Sequence, residues 1–229
     1  MLRKALGSIR GRKDEMKDNT RAKPISSLVK KLVPQNATTI IYGKHGSGMS
    51  TLGLYLCALA ASSTPPMPCL YIDFEEDQKS IGAKWRAILS GQKLDKDLPL
   101  HYYRCNQPIV NEVKSIKAAI AAIKPELIVI DSLASAIPNS VDEKAATQGM
   151  KAIESLEVTR IAIAHLSRSS KEYYGSSILS NYARVIYEVA TKQTGGQVSS
   201  LDITLSCKKF NYDTMPKYIR FSIKLKGKV

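Results

Sequence analysis

Long apolar runs, paired cysteines and clustered histidines are all missing from this 229-residue chain. The longest apolar runs, such as Leu127–Ile130, have the length of a strand, so no membrane span is expected. The basic N-terminus has no apolar h-region, which argues against a secretory signal. Cys57, Cys69, Cys105 and Cys207 are dispersed without a C-x-x-C pair, and the three histidines add no zinc spacing, so no structural metal site is expected. Cys57 and Cys69 stand in apolar context and read as core thiols in a reducing compartment, which implies a cytoplasmic location. Internal repeats and low-complexity segments are lacking too. What is present, 44% apolar residues, is enough to bury one sizeable core.

One further absence is a single side chain. Gly43-Lys44-His45-Gly46-Ser47-Gly48-Met49-Ser50-Thr51 fits the phosphate-binding pattern G-x-x-x-x-G-K-[S/T] at Gly43, Gly48 and Ser50, but Met49 stands where the lysine belongs. The flanks are those of such a loop. Thr38–Tyr42 is a β-branched apolar run that reads as a buried strand, and Ser50–Ala61 reads as a helix. Glycines let the backbone curl until its N–H groups and the positive end of the helix face the phosphates. The Ser50 hydroxyl is then the expected Mg²⁺ ligand.

Charge is the next signal. The net +14 is concentrated at the ends: residues 1–24 hold eight Lys and Arg against three acids, and residues 207–229 hold seven against Asp213. Such fields attract polyanions, nucleic acid first and anionic membrane second. Residues 1–23 read as a basic flexible arm, and 24–229 as one domain in which strands and helices alternate. The expected strands are Cys69–Phe74, Leu100–Tyr103, Leu127–Asp131 and Thr159–Ala164. The expected helices are Lys79–Leu89, Asn111–Ile123 capped by Asn111, and a stretch near 143–156. Arg184–Ala190, Ser199–Lys208 and Tyr218–Leu225 follow without helices, as antiparallel strands extending a parallel sheet.

Asp131, ending an aliphatic strand, is the second candidate Mg²⁺ ligand. Glu75, with Glu76 beside it, follows the second strand and is placed to orient and deprotonate a water. His165 ends another strand and could sense a γ-phosphate. The stretch beyond it interleaves Arg168, Lys171, Tyr173 and Tyr174, a mixture suited to phosphate contact and base stacking.

The order of these motifs resembles the RecA-like ATPase core, a three-layer α/β/α fold, and in particular RepA-type hexameric helicases and RadA/KaiC-like ATPases. The matching pieces are Gly43–Thr51, Tyr71–Glu75, Leu127–Leu133, Ala164–Arg168, Gly175–Ser177 and Lys208–Tyr212. The resemblance implies ATP and Mg²⁺ bound between subunits of a homo-oligomeric ring or filament, and single-stranded DNA on the central path. It implies that Glu75 is the catalytic glutamate, Asp131 the Walker B aspartate and His165 the switch residue. One of Arg184, Lys208 and Lys209 would reach into the neighbour's site. A replicative helicase or recombination motor is the leading expectation. A ParA/KaiC-like nucleotide switch and a viral or plasmid packaging ATPase are the alternatives. Met49 departs from the pattern, either as natural divergence or as a Lys-to-Met replacement, and implies slow hydrolysis. Lys44 holds the place of the compensating lysine in ParA/MinD-like loops.

Overall fold

The computed structural model describes residues 29, 32–166, 177–194, 198–212 and 218–226. Eight strands form one sheet in the order β3-β2-β4-β5-β1-β6-β7-β8. They are β1 (Thr38–Gly43), β2 (Cys69–Asp73), β3 (Leu100–Arg104), β4 (Leu127–Asp131), β5 (Thr159–His165), β6 (Val185–Thr194), β7 (Val198–Phe210) and β8 (Tyr218–Lys226). The first six strands are mutually parallel; β7 and β8 continue the sheet antiparallel. This is the expected α/β class with an antiparallel C-terminal extension, except that the first strand expected in that extension, β6, runs parallel to β1 and is antiparallel only to β7.

Alternation along the central strands explains the layers. Ile41, Tyr71, Val129 and Ile163 face one buried cluster, with α1 (Met49–Ala61) and α2 (Gln78–Gln92) packed on it. Ile40, Ile72, Ile130 and Ala162 face the other, covered by α3 (Ile109–Ile123), the short α4 (Leu133–Ala136), α5 (Glu143–Glu154) and the short α6 (Ile178–Tyr182). Strands buried on both sides carry no polar face, which is why they read as continuous aliphatic runs. On β7 and β8 only one side is covered: Leu201, Leu205, Ile223 and Leu225 point inward while their neighbours stay exposed or half-buried.

Local chemistry corrects some boundaries. Helix α3 begins at Ile109, two residues before the expected cap; Pro108 takes the N-cap place and Asn111 lies in the first turn. Proline at a helix start loses no hydrogen bond. Helix α2 runs three residues past Leu89, to a Lys93 cap in the left-handed region. Among the described residues no helix is long and apolar enough to cross a membrane. The basic arm over 1–23 and the Arg168, Lys171, Tyr173 and Tyr174 stretch lie outside the described residues.

Candidate functional site

Register brings the chemistry to one edge of the sheet. Gly43 at the end of β1 is level with His165 at the end of β5, and Asp73 of β2 is level with Asp131 of β4. These are the carboxyl ends of parallel strands, where ligands bind in open α/β sheets. From Gly43 the chain turns through residues 44–48 into α1. Gly46 (φ 75°) and Gly48 (φ 71°) both take left-handed backbone that side chains resist. A Cβ at Gly48 would also lie 2.6 Å from Leu201. The first turn of α1 has no acidic residue and no side-chain cap, so its first N–H groups are left without a capping side chain.

A cavity of about 360 Å³ opens over this helix start, within the range of small-molecule sites of about 300–1,000 Å³. Residues His45 to Thr51, the pair Glu75 and Glu76, Lys84 and His165 line it, and Leu201 and Leu225 close one side from the antiparallel strands. Met49 is only 4% exposed and belongs to the same apolar cluster as Val189 and Leu201. Its Sδ comes within 3.3 Å of where a Cβ on Gly43 would sit, so the side chain folds back across the loop.

Behind the cavity Asp131 is 2% exposed. Tyr71 donates to its Oδ2 at 2.5 Å, while Oδ1 has no hydrogen-bond partner. Burial raises the Asp131 pKa; the nearby Ser50 and Tyr71 hydroxyls oppose that rise, Ser50 without completing a hydrogen bond to Oδ1. A buried carboxylate with an unused lone pair beside a serine hydroxyl has donor chemistry that could hold a divalent cation.

Glu75 is the hub of the opposite wall. Its Oε1 accepts from the Ser132 and Ser135 hydroxyls, and Oε2 meets His165 Nε2 at 3.3 Å. The His165 contact first, then these hydroxyls, hold the Glu75 carboxyl at about 2, against the opposing pull of burial. The same contact raises the His165 pKa. The ring of His45 lies 4.7 Å from that of His165. A carboxylate so acidic is a weak proton acceptor and a strong hydrogen-bond acceptor, so it suits orienting a water better than deprotonating one.

The sign of this pairing sets a pH window for the free protein. Glu75, lowered from 4.5, stabilises the fold above about pH 4.5 and stops doing so as pH falls through about 2. His165, raised from 6.5, stabilises it below about pH 6.5 and stops doing so as pH rises through its folded-state value. In nucleotide-free protein, the stability gap between wild type and His165→Gln is therefore expected to be widest between about pH 4.5 and 6.5 and to close in alkali. Urea unfolding at a series of pH values measures it. A gap unchanged up to pH 9 would show that the pair carries no charge interaction.

Several residues that build the site carry little sequence signal. Asp73, fully buried, accepts from the Glu75 and Glu76 N–H groups at 2.8 and 2.9 Å and from Tyr102 at 2.8 Å, and pairs with Arg104 at 3.3 Å. It shapes the turn that presents both glutamates. Its only cue is an Asp two residues before a candidate acid, the spacing of an Asx turn. Tyr71 and Ser132 fall inside the matching pieces Tyr71–Glu75 and Leu127–Leu133, which give them no role of their own, and Lys84 has no cue beyond its helix.

Other expected residues are not gathered here. Lys44 is exposed and does not line the cavity. Arg184, just before β6, donates its N–H to Thr38 O at the far end of β1. Lys208 pairs with Glu188 at 2.9 Å, and Lys209 Nζ donates to Ser180 O at 2.7 Å. Of these three cations, only Arg184 makes no side-chain hydrogen bond or ion pair with another described residue.

Comparison with known proteins bears on the fold and the family. A solved KaiC-like protein of the hyperthermophilic archaeon Pyrococcus horikoshii OT3 superposes with a TM-score of 0.63 over 86% of this chain and 91% of that one, at 17% identity. That likeness is one of fold. No curated protein matches the sequence. Residues 10–175 match the model of the AAA domain family. The chain belongs to the AAA domain family, and its described domain is a RecA-like P-loop ATPase core.

Proposed function

We propose that this chain is a nucleic-acid-binding RecA-like ATPase, a strand-handling motor of the replicative helicase or recombination kind, with hydrolysis slowed by Met49. The observation that carries this reading is the cavity over α1, where the loop glycines, the unpartnered Oδ1 of Asp131 and the Glu75–His165 contact meet. A triphosphate would lie on the Gly43–Thr51 backbone N–H groups and the helix start. Ser50 and Asp131 would hold Mg²⁺, which neutralises phosphate charge when bound. Glu75 orients the attacking water, and His165 couples Glu75 to the chain beyond β5. In a ring or filament of identical subunits, Arg184 is the freest of the three cations to act on a neighbour's site.

Charge supports the nucleic-acid half of the proposal. The outward positions of β6, β7 and β8 present Lys192, Lys208, Arg220, Lys224 and Lys226, with Glu188 and Asp202 as the acids. Glu188 is already paired with Lys208, and Asp202 accepts from Ser222 at 2.5 Å. Tyr218 is 57% exposed, with the Arg220 guanidinium 4.6 Å from its ring centre. An exposed aromatic beside cations suits stacked bases and phosphates. Fluorescence anisotropy with a single-stranded oligonucleotide is expected to show tighter binding with ATP than with ADP. The affinity should fall with salt at about 0.7 log units per log unit of salt for each phosphate contacted. Binding indifferent to salt and nucleotide would leave only the second reading, a nucleotide-dependent switch. The observation favouring that reading is the apolar packing of Met49, which suits retention of nucleotide over turnover.

A further inference from the structure

One wall of the cavity comes from α2, and it carries a cation that the loop lacks. Lys84 is the single Lys or Arg among the described lining residues. It stands on the second turn of α2, whose start is fixed by Asp77 accepting from the Lys79 and Ser80 N–H groups at 2.8 and 3.0 Å. Ile81 and Ile88, three residues before and four after it, are buried, so Lys84 rides the rim of the apolar face. Its side chain is 21% exposed, and Nζ is held by Glu76 Oε1 in the turn next to Glu75. The ammonium is thus turned toward the loop acids and kept at the mouth of the cavity.

We propose that Lys84 is the phosphate-binding cation of this site, supplying from α2 the charge that Met49 does not supply from the loop. The inference rests on the ATP reading above. Its physical basis is charge balance. Glu75 and Glu76 line the cavity and Asp131 lies behind it, so a polyphosphate entering there meets three carboxylates. Mg²⁺ offsets part of that repulsion, and the backbone N–H groups add no net charge. An ammonium already at the wall completes the balance without rearranging the loop. Glu76 then acts as a holder: it keeps Nζ oriented when the cavity is free and competes with phosphate for it when a ligand arrives.

The competing explanation is that the Lys84–Glu76 pair only braces the turn, and the two differ in sign. If Lys84 binds phosphate, Glu76→Gln frees the ammonium and removes a negative charge, so affinity for ATP·Mg²⁺ stays or rises. If the pair is a brace, Glu76→Gln and Lys84→Gln weaken binding alike. Calorimetry with ATP·Mg²⁺ on the full chain reads this directly. Lys84→Gln is expected to weaken binding about tenfold or more, the size of one charge-assisted contact. Lys84→Arg should restore most of it. In a Met49→Lys background the cost of Lys84→Gln should shrink severalfold, because a second cation is then present. Binding by Lys84→Gln equal to wild type, or an equal loss in Glu76→Gln, would overturn the assignment. Wild-type protein giving no heat would overturn the ATP reading, and this assignment with it.

Discussion

Met49→Lys is expected to raise ATP turnover by about 10²–10³-fold at saturating ATP·Mg²⁺, the usual worth of one donor aimed at developing charge. The rest of the site is in place around it: the glycine-turned loop, Asp131 with Oδ1 unused, and Glu75 held ionised by His165. Position 49 is also where a cation would act on both the loop and the cavity, since its side chain folds back over Gly43 and lines the wall. A lysine there exchanges apolar packing against the Val189 and Leu201 cluster for an ammonium whose stem passes through those apolar surroundings. Without nucleotide the variant should therefore be less stable than wild type, by about 1–3 kcal/mol. Saturating ATP·Mg²⁺ should recover that loss, since a ligand that binds only the folded state stabilises it. Phosphate release and urea unfolding, each with and without nucleotide, measure the two effects. Turnover unchanged by the substitution would count against the ATPase reading, whereas lost stability with no recovery would locate the failure in binding.

The parts of this site that could be read from sequence are those whose chemistry is local. The loop declares itself by glycines at fixed spacing, and Asp131 by ending an aliphatic strand. The alternation of strands and helices was enough for the α/β class and the antiparallel extension. What stayed hidden depends on strand order. Nothing local in Gly43, Asp73, Asp131 or His165 says that β1 pairs with β5 and β2 with β4, yet that register assembles the site. Glu75 and His165 are 90 positions apart and meet only because β5 lies between β4 and β1. Helix α2 is the same case: periodicity marks Ile81 and Ile88 as core, while its packing beside α1 is what makes Lys84 a cavity residue. The start of α3 lies at Pro108 rather than at the expected Asn111, because the fixed φ of proline suits the entry to a helix.

Asp73→Ala is the second large effect, on stability and on the site together. The carboxylate is fully buried, accepts three hydrogen bonds, from two backbone N–H groups and the Tyr102 hydroxyl, and pairs with the Arg104 guanidinium at 3.3 Å. Alanine leaves the two N–H groups and the hydroxyl without their acceptor, and unmade hydrogen bonds to a charged group cost more than neutral ones. A loss of about 3 kcal/mol on urea unfolding is expected, a sizeable part of the 5–15 kcal/mol typical of a folded domain. Asp73→Asn should lose less, because its Oδ1 still accepts from both N–H groups of the turn while only the Tyr102 and Arg104 contacts suffer. Glu75→Ala also removes stabilising contacts, to Ser132, Ser135 and His165, but leaves the turn's backbone N–H groups bonded to Asp73. Turnover in the Met49→Lys background separates shape from stability. If Asp73 acts by holding the turn that presents Glu75, then Asp73→Ala loses turnover even at temperatures where it stays folded, and Asp73→Asn keeps most of it. Equal turnover in all three at such a temperature would mean that Glu75 finds its place without the buried carboxylate beneath it.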